Sequence, residues 1–307
     1  MHVAVLGPGA LGCLFAAHLA DAGTDVTLVG RPGEHLAALR EDGLRFTDRE
    51  GETRTLDVAA TADPATVAPV DVVLVTVKSY ATADALTDAE ALLDGAAVCT
   101  FQNGLGNAET VAEFVPEGDV LAGTTTHGAT RERAGHVRHA GTGETTVGRY
   151  FALTDERTRD LAARLTEAGI ETSVTDDPRS AVWQKVLVNL GINAQTALAR
   201  VENGALVDSN PGERLLERAV REGAAVARAD GRDVDTETAV ERARRVAHET
   251  ASNRSSMRQD VEADRRTEVE ALYGEVARRS LELGIETPVV STLADLVRLT
   301  ETGYDRR

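Results

Sequence analysis

Aromatic residues are nearly missing from this chain, at 3% of 307 residues with a single tryptophan. The hydrophobic fraction is still 42%, so the cores must be built from alanine, valine and leucine. Lysine is scarcer: among 33 basic residues, all are arginine except Lys78 and Lys185. Only two cysteines occur, Cys13 and Cys99, both in apolar stretches. They read as small buried hydrophobes in a reducing compartment, which excludes a disulfide framework. No apolar run is long enough to span a membrane, and "MHVAVLGPGA" lacks a basic segment followed by a cleavable apolar one. The expectation is therefore a cytoplasmic protein. An excess of basic charge is also lacking. The balance is 33 − 50 = −17, which argues against nucleic acid and anionic membranes as partners.

The acidic residues are spread along the whole chain. An evenly acidic surface keeps a protein soluble in concentrated salt, where screening removes most self-repulsion. A halophilic cytoplasm explains this balance and the arginine bias together. A high-GC genome explains the arginine bias alone. Under either bias, both lysines are expected where an ammonium is needed and a guanidinium will not serve.

The fold class expected is α/β: a Rossmann-type dinucleotide-binding domain over residues 1–176, then an all-α domain over residues 177–307. "HVAVLG", "TDVTLVG", "DVVLVTVKS" and "AAVCTFQNG" are short apolar strands, separated by helical patterns such as "ALGCLFAAHLADAG". The Thr- and Val-rich stretch from Asp119 to Tyr150 alternates, which predicts a switch to antiparallel strands. From Asp176 onward the pattern is helical. Candidate helices are Pro178–Ala194, Pro211–Ala229, Thr236–Thr250, Thr267–Leu283 and Val289–Leu299.

"GPGALG" gives Gly7, Gly9 and Gly12 the G-x-G-x-x-G spacing, after a strand and opening a helix. In that setting the first glycine permits a tight turn, the second admits a pyrophosphate, and the third lets helix pack on strand. At the end of the second strand, where an NAD-binding domain tends to carry an acid for the ribose hydroxyls, the chain has neutral Gly30 and cationic Arg31. Arginine there suits a 2′-phosphate, which favours NADPH; an ordinary loop arginine is the alternative. Lys78 ends a buried strand, where a charge points into the cofactor crevice. Asn103 follows the next strand in the same topological position, though Asn-Gly is also a common turn pair.

The helix "SAVWQKVLVNLGINAQTALARVENG" sets Lys185, Asn189 and Asn193 four residues apart, on one face of an otherwise apolar segment. Asn203 follows. Amides suit a carboxylate or hydroxyl, and an ammonium suits a developing alkoxide. A solvent face explains the row poorly, because this chain fills its solvent faces with Asp, Glu and Arg. Further on, Ser256 with Gln259 fits a capping box, and Glu268 after Thr267 fits a helix first turn. His136 and His139, three apart in an expected strand, face opposite sides, so no metal site is expected.

Several stretches together, "GPGALG", "VKSY", "FQNGLGN", "GTTTHGA", "HAGTGETTVG", "WQKVLVNLGINAQTAL", "ENG" and "SSMRQDVEADRRTEVEALYG", resemble the 2-dehydropantoate 2-reductase (ketopantoate reductase) family over essentially the full length. The resemblance implies reduction of ketopantoate to pantoate by NADPH, on the route to pantothenate and coenzyme A. It implies that Gly7, Pro8, Gly9, Ala10, Leu11, Gly12 and Arg31 bind NADPH. Lys78, Asn103 and, by a looser match, Ala129 would lie near the same cofactor. Lys185 would be the general acid. Asn103, Asn189, Asn193, Asn203 and Ser256 would hold substrate, and Glu268 would stand near cofactor and active site. The small 2-oxo acid is expected to bind between the domains. A homodimer is compatible with this reading. Alternatives are a paralogue acting on another 2-oxo acid, a β-hydroxyacid dehydrogenase, and an NADP-binding regulator without catalysis.

Overall fold

The structure is a computed structural model, and it describes residues 1–67 and 69–304. Two compact units divide the chain. The first is Met1–Gln102 with Asn107–Pro178; the second is Asn103–Gly106 with the chain from Arg179 onward.

The first unit runs β1 (His2–Leu6), α1 (Ala10–Asp21), β2 (Asp25–Val29), α2 (Glu34–Asp42), β3 (Leu44–Thr47), β4 (Thr53–Leu56), β5 (Ala59–Thr61) and β6 (Val72–Val75). It continues with α3 (Thr82–Asp88), β7 (Ala97–Thr100), α4 (Asn107–Val111), β8 (Val120–Thr125), β9 (Gly128–Arg133), β10 (His136–Gly141), β11 (Thr145–Arg149), α5 (Glu156–Glu167) and β12 (Thr172–Val174). Eight strands form one sheet in the order β12-β11-β8-β7-β6-β1-β2-β5. All neighbours are parallel except β8 and β11. The register brings Val3 of β1 opposite Val26 on one side and Val72 on the other. The order of connection reverses at β1 and β6, the place where such sheets bind ligands at their carboxyl ends.

The alternating stretch splits between two sheets. β8 and β11 pair antiparallel in the large sheet, while β9 and β10 join β3 and β4 in a second, four-stranded sheet ordered β4-β3-β10-β9. This explains why α1 is apolar nearly all round. Leu14, Phe15 and Leu19 share one core with Val3, Val5 and Leu74 of the large sheet and with Phe46 and Val137 of the small one. A helix covered on opposite faces needs no polar stripe. His136 and His139 are both buried, each beside an irregularity in the β9–β10 register. They do take different partners: His136 meets Thr47 Oγ1 at 2.8 Å, and His139 lies between His18 and His127.

The second unit is helical: α6 (Pro178–Ala199), α7 (Asn210–Ala229), α8 (Thr236–Glu249), α9 (Ser256–Glu262), α10 (Glu275–Leu283) and α11 (Pro288–Glu301). A π-helical turn, Glu270–Gly274, leads into α10. Its core is Ala, Val and Leu around Trp183 and Tyr273, as the shortage of aromatics requires. Two expectations need correction. The serine that caps α9 is Ser255, whose hydroxyl accepts the Arg258 N–H at 3.1 Å, and not Ser256. Ser255 is chosen because its hydroxyl also meets Thr196 Oγ1 of α6 at 2.8 Å, a tertiary contact that local sequence does not show. The helix expected from Thr267 begins later, and Thr267 stands before it as a cap: its hydroxyl accepts the Val269 N–H at 3.2 Å, while its own N–H donates to the Glu301 carboxylate at 2.8 Å.

Candidate active site

In the first unit, Gly7 turns the chain at the end of β1 with φ +102°. Its N–H donates to Val29 O at 2.9 Å, and its carbonyl accepts the Thr76 hydroxyl at 2.7 Å. A Cβ on Gly12 would stand 2.3 Å from Gly7 O, so only glycine lets α1 start this close to the turn. Gly9 differs. Its backbone is extended, and a Cβ there would meet nothing within 4 Å. Neither strain nor crowding by the protein itself requires glycine at this position. No side chain caps α1, which leaves its first-turn amides facing outward from Gly9, the arrangement that receives phosphate.

The loop is held from behind. The Gly135 N–H donates to His35 Nδ1 at 2.9 Å, which fixes the tautomer and leaves Nε2–H to donate to Pro8 O at 2.7 Å. Burial pushes the His35 pKa down, consistent with a neutral ring. Pro8 in turn covers Gly30: a Cβ at Gly30 would lie 2.5 Å from the proline ring. The position where an acid would face the ribose hydroxyls therefore has no room for one. Arg31, next in the chain, is exposed. Lys78 is half-buried at the start of the turn Ser79–Ala81, beyond the end of β6. Ala129 lies on β9 of the small sheet, opposite His139 and against the core of the first unit.

In the second unit, α6 is anchored near its start by Trp183, whose Nε1–H donates to Asp230 at 2.9 Å. Lys185, Asn189 and Asn193 follow along it. Among the described residues, these three side chains make no hydrogen bond and no ion pair. The arginines behave otherwise. Arg221 pairs with Glu217 and Glu237, and Arg244 with Glu213, Glu217 and Glu241. Burial lowers the Lys185 pKa from 10.5 to about 8, against a smaller raising effect of the Glu268 carboxylate. Glu268 is buried and accepts from Asn103 Nδ2 at 3.2 Å. Asn103 thus belongs with the helical unit, although it follows β7. The Leu105 N–H donates to Ala271 O of the π-turn at 2.8 Å and fastens this segment there. Asn203 is buried; its Nδ2 donates to Thr250 Oγ1 at 2.9 Å, while its Oδ1 has no partner among the described residues. Ser256 is exposed at the first position of α9.

Sequence reasoning did not single out His35, Thr76 or Tyr273. The last carried a signal, as one of four tyrosines in a chain poor in aromatics.

The first unit thus carries a glycine turn of the kind that receives phosphate, and the second carries a helix that offers an ammonium and amides. Both features agree with the comparisons to known proteins. Residues 3–151 match the family described as Ketopantoate reductase PanE/ApbA, and residues 177–301 match its C-terminal counterpart. The 2-dehydropantoate 2-reductase of Halobacterium salinarum is 56% identical over 98% of this chain and 99% of its own length. That of Archaeoglobus fulgidus is 39% identical over 98% of each chain. Among solved structures, a PanE/ApbA family ketopantoate reductase from Ralstonia eutropha JMP134 superposes with a TM-score of 0.90 at 34% identity, covering 99% of this chain and 100% of its own. D-mandelate dehydrogenase with NADH and anilino(oxo)acetate shares the fold, with a TM-score of 0.93 at 24% identity over 99% of this chain and 100% of its own. On both matched segments and on full-length identity, the chain belongs to the ketopantoate reductase family.

Proposed function

We propose that the protein reduces ketopantoate to pantoate with NADPH, in the cytoplasm, on the route to pantothenate and coenzyme A. The observation that carries this reading is the row on α6. Among the described residues, Lys185, Asn189 and Asn193 make no side-chain hydrogen bond or ion pair, on a helix whose other side chains are mostly apolar, and Lys185 feels the Glu268 carboxylate. Membership of a family named for this reaction supplies the substrate.

The residues of the glycine loop fit a dinucleotide. Gly9 leaves room for pyrophosphate, and the uncapped start of α1 offers N–H groups to it. Gly30 under Pro8 leaves no place for a ribose-binding acid, and Arg31 offers a guanidinium to a 2′-phosphate. NADPH, when bound, supplies the hydride for the keto carbon. Lys185 donates its proton to the keto oxygen, and its charge stabilises that oxygen as the bond order falls. A pKa near 8 suits this role: the ammonium is populated at neutral pH and gives up its proton more readily than an exposed lysine. Asn189, Asn193, Asn203 and Ser256 bind the carboxylate and hydroxyl of the substrate. Glu268, linked to Asn103, keeps Lys185 charged. Lys78 and Ala129 line the cofactor side.

The test is NADPH oxidation with ketopantoate against a panel of 2-oxo acids, at low and molar salt. Ketopantoate should give the highest kcat/KM. A different 2-oxo acid preferred by tenfold or more would move the protein to a paralogous activity.

A further inference from the structure

The row on α6 depends on a tyrosine that no sequence pattern connects to it. Tyr273 is fully buried in the π-turn Glu270–Gly274. Its hydroxyl accepts the Ala194 N–H at 3.0 Å. The same oxygen lies 2.9 Å from Leu190 O and 3.0 Å from Asn189 O, to which its proton is donated. Leu190 O and the Ala194 N–H are the two ends of one rung of the helical ladder. The tyrosine oxygen therefore sits on both ends of that rung. Gln195 supports the insertion: its Nε2 donates to Leu190 O at 2.9 Å, and its Oε1 is 3.2 Å from the hydroxyl. Burial pushes the phenol pKa up, so its proton stays available for donation.

This rung has Asn189 next to one end, at Leu190, and Asn193 next to the other, at Ala194. A hydroxyl bonded at both ends of a rung competes with the rung's own hydrogen bond, the kind of contact that can turn the residues beside it. The insertion comes from a π-turn, a local widening frequent at functional sites. The same turn receives the Leu105 N–H on Ala271 O, beside the Asn103–Glu268 pair.

We propose that Tyr273 is a positioning residue for the 2-oxo acid, acting through Asn193 by insertion of its hydroxyl between Leu190 and Ala194 of α6. The inference rests on the functional reading above. In Tyr273→Phe the ring still fills the core, while the Ala194 N–H can close onto Leu190 O and turn Asn193 away.

The test is steady-state kinetics of wild type, Tyr273→Phe, Asn193→Ala and the double variant, with ketopantoate and NADPH. Tyr273→Phe should raise KM for ketopantoate about tenfold, the worth of one hydrogen bond, and leave KM for NADPH and kcat within about twofold. The double variant should match Asn193→Ala, because the two changes remove the same interaction. An unchanged KM in Tyr273→Phe overturns the inference, and so do fully additive effects in the double variant. If Tyr273→Phe does not fold, Gln195→Leu replaces it, with the same expected direction, the same non-additivity with Asn193→Ala, and the same overturning results. A wild type inactive on every 2-oxo acid overturns the functional reading and this inference with it. An active wild type with an unaffected variant overturns the inference alone.

Discussion

The glycine loop and the α6 row reach their chemistry by opposite routes. The loop works by having no side chains: Gly9 leaves open space, and its neighbours Gly7, Gly12 and Gly30 are each hemmed in by protein atoms. Its backbone is fastened by Val29, Thr76 and His35. The α6 row instead presents side chains that make no hydrogen bond or ion pair among the described residues, on a backbone fastened by Tyr273. In both places the backbone is held tightly, and on the function proposed above the outward-facing groups meet a ligand. In the loop those groups are main-chain amides, so residue spacing encodes them. On α6 they are side chains, and only their contrast with the rest of the chain marks them.

The largest expected effect breaks the α6 side. Lys185→Met should lower kcat by roughly 100-fold or more, the loss expected when a general acid is removed. The same change should stabilise the fold. The folded-state pKa lies below the unfolded value, so the charged lysine costs stability, fully below about pH 8 and no longer above 10.5. Discounted for the side chain's remaining exposure, relief of that cost is worth about 1–2 kcal/mol near pH 7. Thermal unfolding at pH 7 and pH 10.5 checks it: the gain should shrink at the higher pH.

The loop gives a sharper pair. Gly12→Ala places a Cβ 2.3 Å from Gly7 O and should destabilise the fold by about 1–3 kcal/mol as well as weakening NADPH binding. Gly9→Ala meets no protein atom, so its melting temperature should stay at the wild-type value while KM for NADPH rises about tenfold. Equal melting shifts in the two variants would remove the distinction between a packing glycine and a ligand glycine. The smallest effect concerns Arg31. Arg31→Ala should raise KM for NADPH by about fivefold to tenfold and leave that for NADH nearly unchanged, the share of one charge-assisted contact. Matching effects on both cofactors would count against a 2′-phosphate role.

Much of this architecture could be read from the sequence where a single element carried a full period. β1, β6 and β7 announce themselves as apolar runs because both their faces are buried. β3 and β4 do not. "LRFT" and "TRTL" are four residues each, joined by a charged turn, and only Leu44, Phe46 and Thr47 of the pair are buried. Lys185 stood out because lysine is so rare here, not because of its spacing alone. The insertion of Tyr273 was hidden, since its meaning depends on a backbone amide 79 residues away. The choice between Ser255 and Ser256 as the cap was hidden for the same reason, being settled by Thr196. Asn103 follows a strand of one unit but belongs to the other, held there by its own bond to Glu268 and by the Leu105 N–H on Ala271 O, which no local pattern records.

The central claim is that Lys185, tuned by burial and by the Glu268 carboxylate, delivers the proton. Its most direct test is the pH dependence of kcat/KM for ketopantoate reduction in wild type and Lys185→Arg. The wild type should lose activity above about pH 8, as the ammonium is lost, falling tenfold per pH unit. Lys185→Arg keeps the charge but cannot give up its proton in this range, so its residual activity should be low and flat through the same interval. A descending limb at the same pH in both proteins would contradict the assignment, because the titrating group would then not be Lys185.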